Sequence, residues 1–304
     1  MTGPRQTSPR QRMISIQTRD GAGAMAVLDF GDPKRPVDIV FVHANGFNAR
    51  TYRTILRPLA RDLRILAPDL RGHGRTRLPL KAEGRRSWRD LRDDINALLD
   101  ALEGPPVTLA GHSMGGTVSL LAAAKAPRRV RDLVLFDPVM LGPIGVAMAH
   151  LPFATAMAAQ RAPIAVAAAR RRSVFDSRPE AFKAYQGRGA FKTWPDAMLR
   201  DYLADGFIDQ LDGTIALACP PGWEAVNYTT HAHDPYSALR KFAGRVRILR
   251  GTRGSTCRVK DIAGFERRYP GATIEKIDGG HFFPMEKPEV VRAALRASVV
   301  MDSA

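Results

Sequence analysis

The sequence predicts an α/β fold: a mostly parallel central sheet with helices, and a helical insertion late in the chain. Three observations carry that expectation. Short apolar runs alternate with longer segments of helical spacing, as they do when crossover helices join parallel strands. One run, Val107 to Ala110, passes through Gly111-His112-Ser113-Met114-Gly115 into an apolar stretch, Thr117 to Ala124. The alternation then stops at Val139 and resumes only at Arg245.

Taken in order, residues 1–12 are polar, with three arginines and two prolines, and lack the apolar core of a secretory signal. They read as a disordered basic tail. Met13 to Thr18 and Ala24 to Phe30 read as two antiparallel strands turning around Asp20-Gly21. Val37 to Val42 is nearly all apolar, as a central parallel strand should be. His43-Ala44-Asn45-Gly46-Phe47 follows at its carboxyl end, where open α/β sheets place ligand-facing loops. A short helix over Tyr52 to Leu59 leads to a strand at Arg64 to Pro68 and the polar loop Asp69 to Thr76. Asp69, Arg71 and His73 are expected to brace the loops around a site.

Trp88 to Leu102 is amphipathic, with Leu91, Ile95, Leu98 and Leu99 on one face and Asp90, Arg92, Asp93 and Asp94 mostly on the other. Gly104-Pro105-Pro106 then breaks the chain before the Val107 strand. Arg131 to Phe136 is the next strand, and Asp137-Pro138 ends it on the same rim as Ser113. Residues 139–243 are too long for a plain connection, and Ser177 to Gln186, Pro195 to Ala204 and Glu224 to Tyr228 look helical. The core resumes with a strand at Arg245 to Leu249, a helix at Val259 to Tyr269, a last strand at Ala272 to Ile277 and a closing helix at Pro288 to Val300. The expected organisation is a tail at 1–12, a core at 13–138 and 244–304, and a helical cap at 139–243.

Composition removes several classes of function. The chain has 304 residues, of which 45% are hydrophobic, enough for a large buried core. Its two cysteines, Cys219 and Cys257, define no disulfide framework or metal cluster, so a cytoplasmic, reducing setting is expected. No metal-ligand spacing is present and no cofactor is expected. The formal charge is +16, but the arginines are scattered and no nucleic-acid motif accompanies them, so no nucleic-acid partner is expected. Val139 to Ala159 is the one run worth testing as a membrane span. Its Gly142, Pro143, Gly145, His150 and Pro152 point to a buried segment or a lid instead.

The Gly111 to Gly115 stretch is a G-x-S-x-G pattern between a strand and a helix. A serine on so sharp a turn projects its hydroxyl, and glycines are needed where side chains would meet neighbouring backbone. The following helix turns free N–H groups toward the same place. A phosphate loop would need a lysine that is absent. This makes Ser113 the candidate nucleophile.

With G-H-S-M-G-G, the loop His43 to Phe47, the D-L-R-G-H-G-R loop and the late G-G-H-F-F-P-M-E run in place, the chain from Met13 onward resembles the α/β-hydrolase fold superfamily. The resemblance implies helices on both faces of the sheet and a triad in the order nucleophile, acid, histidine. Ser113 matches the nucleophile. A serine there argues against branches that use an aspartate. His281, after the last strand, matches the base, and His112 packs beneath the turn. His231 and His233 are expected at the surface or in a lid.

The acid departs from the commonest pattern. Many members carry it in the loop after the penultimate strand, where this chain has glycine near position 254. Asp137 lies where other members place theirs, with Asp261 and Asp278 as weaker alternatives. For the oxyanion hole the resemblance implies the Met114 amide and that of Asn45, with Gly46 remaining open.

The leading expectation is a capped serine hydrolase acting on a small-molecule acyl substrate, a carboxylic ester, lactone or thioester. The alternatives are carbon–carbon bond hydrolysis or a lyase with the same triad, and a non-catalytic small-molecule receptor. Oligomeric state is not legible.

Overall fold

Near-continuous apolar runs in the central strands dictate a sheet covered on both faces, and the chain builds one. The computed structural model describes residues 8–300. Eight strands form the main sheet: β1 (Arg10–Thr18), β2 (Gly21–Phe30), β3 (Ile39–Val42), β4 (Ile65–Pro68), β5 (Val107–His112), β6 (Val130–Phe136), and two later ones. The later pair are Val246–Gly251 and Ala272–Ile277, numbered β10 and β11 because three short strands intervene. The spatial order is β1-β2-β4-β3-β5-β6-β10-β11. β1 pairs with β2 and β2 with β4 antiparallel, and all later neighbours are parallel.

The sheet separates two cores. Val40, Val42, Leu133 and Leu135 face one, while Ile39, Phe41, Val134 and Phe136 face the other, as a period of two requires. Helices α1 (Arg53–Leu56) and, at the end of the chain, Pro288–Val300 cover the second face. α2 (Arg89–Asp100) and α3 (Met114–Lys125) cover the first. Every α3 residue from Met114 to Ala123 is buried, so this helix lies inside the protein rather than on it.

Residues beyond β6 run through α4 (Pro143–Ala149), α5 (Ala154–Arg161), α6 (Pro163–Ala169), α7 (Arg178–Tyr185), α8 (Asp196–Gly206), α9 (Pro221–Asn227) and α10 (Pro235–Lys241). Three strands not foreseen in the sequence join them: β7 (Val174–Phe175), β8 (Phe207–Asp209) and β9 (Ile215–Leu217), an antiparallel sheet in the order β7-β9-β8. This lobe packs against the carboxyl-end loops. Phe191, Trp194 and Tyr202 surround Phe47, and Trp223 donates from Nε1 to the Arg71 carbonyl at 2.9 Å. α11 (Ile262–Arg268) and α12 (Phe283–Glu286) precede the closing helix, α13 (Pro288–Val300).

Three expectations need correction. Residues 1–7 of the expected tail lie outside the described residues, but Arg10 to Arg12 belong to β1. The buried Asp29 draws them in, pairing with Arg10, Arg12 and Arg64. Asp94 is not on the solvent face of α2. It is fully buried against Arg71 at 2.5 Å, a fork-to-carboxylate pair that satisfies both charges away from water. Of the surface and lid settings expected for His233, the surface one fails: it is buried within residues 139–243 and packs on Trp88.

Candidate active site

The site is assembled from the ends of three parallel strands. β5 ends in the turn carrying Ser113, whose φ of 55° lies in the left-handed region. The turn is fixed by crowding. A Cβ on Gly115 would fall 2.3 Å from the Val42 carbonyl oxygen, and one on Gly111 would fall 2.5 Å from the Gly115 carbonyl carbon. The Ser113 N–H donates to Phe136 at 2.9 Å, which ties the turn to the end of β6.

Asp137 is the next residue along β6, and it too has a positive φ, 43°. Its own N–H donates to Leu249 of β10 at 2.7 Å. The carboxylate is fully buried. It accepts from the Gly251 N–H at 2.8 Å, the Ser255 hydroxyl at 2.7 Å and the Thr256 N–H at 2.9 Å. His281, from the loop after β11, brings Nδ1 to 2.6 Å from Asp137 Oδ2 and Nε2 to 3.0 Å from Ser113 Oγ. Burial by itself would push the Asp137 carboxyl up. The His281 hydrogen bond and charge, together with the Ser255 and Thr256 donors, outweigh it and hold the group below the usual carboxylate range.

The structure thus brings Ser113, His281 and Asp137 into one file. It does not bring the alternatives there. Asp261 caps α11 through the Gly264 N–H, and Asp278 is an exposed partner of Arg253 at 2.6 Å. The loop after β10 supplies hydrogen-bond donors to Asp137 rather than a carboxylate of its own.

Behind the file runs a neutral relay. The Ala44 N–H donates to the Tyr52 hydroxyl at 3.2 Å, Tyr52 lies 2.8 Å from His112 Nδ1, and His112 Nε2 lies 2.9 Å from the His281 carbonyl. Burial lowers His112 to about 3, so it is neutral and donates from Nε2 to that carbonyl while accepting from Tyr52. The relay therefore fixes the backbone that carries His281. Gly251, Ser255, Thr256 and Tyr52 were missed in the sequence. The Ser-Thr pair was the available signal, since a buried carboxylate demands donors.

Opposite Ser113 lies the loop after β3. Asn45 is held from the lobe: its Nδ2 donates to the Glu224 carbonyl at 3.0 Å and its Oδ1 accepts from Asn227 at 2.9 Å. The Gly46 N–H is committed to His73 Nε2 at 3.1 Å. The Asn45 N–H has no hydrogen-bond acceptor among the described residues. Met114 opens α3, so its N–H lies among the first, intrinsically unpaired amides of the helix. Asp69 accepts from the Ala49 and Arg75 amides, and burial raises it to about 7. Among the described residues no three His, Cys, Asp or Glu side chains are grouped to hold a metal ion.

Residues 39–294 match the model of the alpha/beta hydrolase family. The chain is 39% identical over 105 residues to a 2-hydroxy-6-oxo-2,4-heptadienoate hydrolase of Pseudomonas putida, covering 33% of this chain and 37% of that protein. It is 27% identical to the lipase LipV of Mycobacterium tuberculosis over 87% of this chain and 94% of that one. Alignments to several relatives span only part of their length, from 27% to 49%. The crystal structure of an E-2-(acetamidomethylene)succinate hydrolase superposes with a TM-score of 0.75 at 22% identity, over 97% of this chain and 100% of that one, a likeness of fold.

Proposed function

The chain belongs to the alpha/beta hydrolase family, and on that premise we propose that it is a serine hydrolase that cleaves a small or medium carboxylic ester, lactone or thioester through an acyl-enzyme. The observation that carries this reading is the file of Asp137, His281 and Ser113 at 2.6 and 3.0 Å.

Asp137 fixes His281 with its proton on Nδ1, which leaves Nε2 to take the Ser113 proton as the oxygen attacks a carbonyl. The charge on Asp137 stabilises the imidazolium so formed. The Met114 and Asn45 amides receive the developing oxyanion. His281 then protonates the leaving group and activates the water that releases the acyl-enzyme. Residues 139–243 serve as a cap. They enter directly after Asp137, and their Glu224 and Asn227 hold the side chain of Asn45, so the lobe shapes the oxyanion loop as well as covering it.

A second reading, carbon–carbon bond hydrolysis by the same residues, is favoured by the 39% identity over a third of the chain to a hydrolase whose named substrate, 2-hydroxy-6-oxo-2,4-heptadienoate, carries a ketone and a carboxylate but no ester. The test is a serine-directed fluorophosphonate followed by a panel of esters and a diketone. Wild type should be labelled on Ser113, and Ser113→Ala should lose the label and at least about a thousandfold in kcat/KM. Wild-type kcat/KM in Ser113→Ala would overturn the assignment. Turnover of the diketone alone would select the second reading.

A further inference from the structure

Three consecutive helices of the lobe, α4, α5 and α6, are built inside out. An amphipathic helix ordinarily turns its large apolar residues inward. Here α6 buries only Ala165 and Ala168, α4 buries only Val146, and α5 buries nothing. The large side chains go to solvent. Ile144 is 78% exposed and Phe153 56%, and Met148, Leu151, Met157 and Ile164 are exposed as well. Of the eleven exposed large hydrophobic residues among those described, these six fall between positions 144 and 164, so they are a patch and not scatter. Ile144 and Met148 are four residues apart, as are Phe153 and Met157, which puts each pair on one side of its turn. α4 contacts α5 and α5 contacts α6, so the helices that carry the two pairs are adjacent.

The charge around the patch is predominantly basic: Asp234 and Asp261 line the cleft beside Ile144, but Arg240, Arg258, Lys260 and Arg268 line it with them. From Pro138 to Phe175 the sequence contains no aspartate or glutamate. Arg161 lies four residues beyond Met157, on the same side of α5, and Arg170 follows α6. Neither has a counter-charge among the described residues. Arg86 also lies alongside, donating to the His150 and Leu151 carbonyls at 2.7 and 2.8 Å.

We propose that the outer face of α4 to α6 is a lipid-docking surface. It seats the lobe on an anionic bilayer, with Ile144, Met148, Phe153 and Met157 in the headgroup–acyl boundary and Arg161 and Arg170 against phosphate. Apolar residues flanked by unpaired cations are what an interfacial helix uses, and anionic lipid supplies the missing charge. A second copy of the chain fits less well, because each copy carries a formal charge of +16 and two such faces repel. The mode is contact from outside: no described helix is long and apolar enough to cross a membrane. The proposal goes beyond the catalytic reading and does not rest on it.

The test floats the full chain with vesicles of phosphatidylcholine alone or with about 30 mol% phosphatidylglycerol, at physiological ionic strength. Wild type should bind the anionic vesicles at least about tenfold better than the neutral ones. The double variant Phe153→Ser/Met157→Ser should lose about tenfold or more, with an unchanged circular dichroism spectrum. Met13→Ser/Leu211→Ser, which removes exposed apolar residues elsewhere, should bind as wild type. A single conservative variant, Phe153→Trp, reads depth: its added emission should shift to the blue and be quenched by brominated acyl chains. Three results would overturn the proposal. Wild type could fail to float with either vesicle. The double variant could bind undiminished, which would leave net charge as the whole cause. Sedimentation could show a wild-type dimer that the double variant abolishes, which would give the face to a second copy.

Discussion

Ser113 and Asp137 are the two non-glycine residues with positive φ among those described, at 55° and 43°. Both sit at the end of a buried strand and both face His281. Strain of this kind persists only where surrounding contacts over-determine it, and the Asp137 carboxylate has such contacts on every side. This makes Asp137→Asn a two-part prediction. An amide cannot stabilise the His281 imidazolium, and it favours the wrong tautomer, so kcat should fall at least about a hundredfold. Its NH2 group would also face one of the Gly251, Ser255 or Thr256 donors, so the variant should lose about 1–3 kcal/mol of stability. Asp261→Asn and Asp278→Asn should leave kcat near normal, since one caps a helix and the other pairs with Arg253 at the surface. Collapse of kcat in either, with normal turnover in Asp137→Asn, would move the acid. The sequence made Ser113 and Asp137 legible because each ends a recognisable strand, and the resemblance pointed to His281. The shell around them was not legible. Thr256 lies 119 residues from Asp137 along the chain, and Tyr52 lies 60 from His112. Only the folded rim brings such pairs together.

At the scale of elements, the core strands and the helices α1 to α3, α7 to α9, α11 and α13 could be read from periodicity, with bounds that moved by a few residues. α4, α5, α6 and α10 could not, because their short alanine- or proline-bearing segments show no clear apolar face. α3 begins at Met114 rather than Thr117, because the turn at Ser113 passes directly into helix. β7, β8 and β9 were missed because two or three residues cannot display a period of two. The strand-turn-helix unit β5–Ser113–α3 depends on close backbone approach, and Gly115 marks the tightest point. Its hypothetical Cβ meets the Val42 and His43 carbonyl oxygens at 2.3 and 2.4 Å. Both are backbone atoms of a central strand and its exit, so neither can rotate away. Gly115→Ala should therefore displace α3 from β3 and cost roughly 2–4 kcal/mol, beyond the usual surface substitution. Urea unfolding checks it. A midpoint unchanged from wild type would mean that the loop after β3 yields more readily than its packing indicates.

The whole molecule carries a pH dependence that follows from how many of its seven histidines it buries. Burial lowers His73 and His231 to about 4 and His112 to about 3. It holds His43 and His233 well below the usual imidazole range. In the unfolded chain each returns to about 6.5. As pH falls through 6.5 the unfolded state therefore takes up protons that the native state refuses, and stability is lost as pH falls toward the lowered native values. Asp69 and Asp94 act in the opposite sense. Burial raises them to about 7 and about 6. The native state binds their protons first, so each adds stability as pH falls toward about 4. Five groups against two leaves a net loss, and Tm should drop between about pH 6.5 and 4. His233 isolates one share of it. Its Nδ1 is buried without a hydrogen-bond partner among the described residues, and its ring packs on Trp88 with centroids 4.6 Å apart. Phenylalanine keeps the ring contact and removes both the unbonded nitrogen and the titration. In His233→Phe, Tm should therefore rise more at pH 5 than at pH 8, because only the lower pH charges the histidine of the unfolded wild type. An equal rise at both would mean that His233 does not contribute to the acid limb, and scanning calorimetry of the two proteins at the two pH values distinguishes these outcomes.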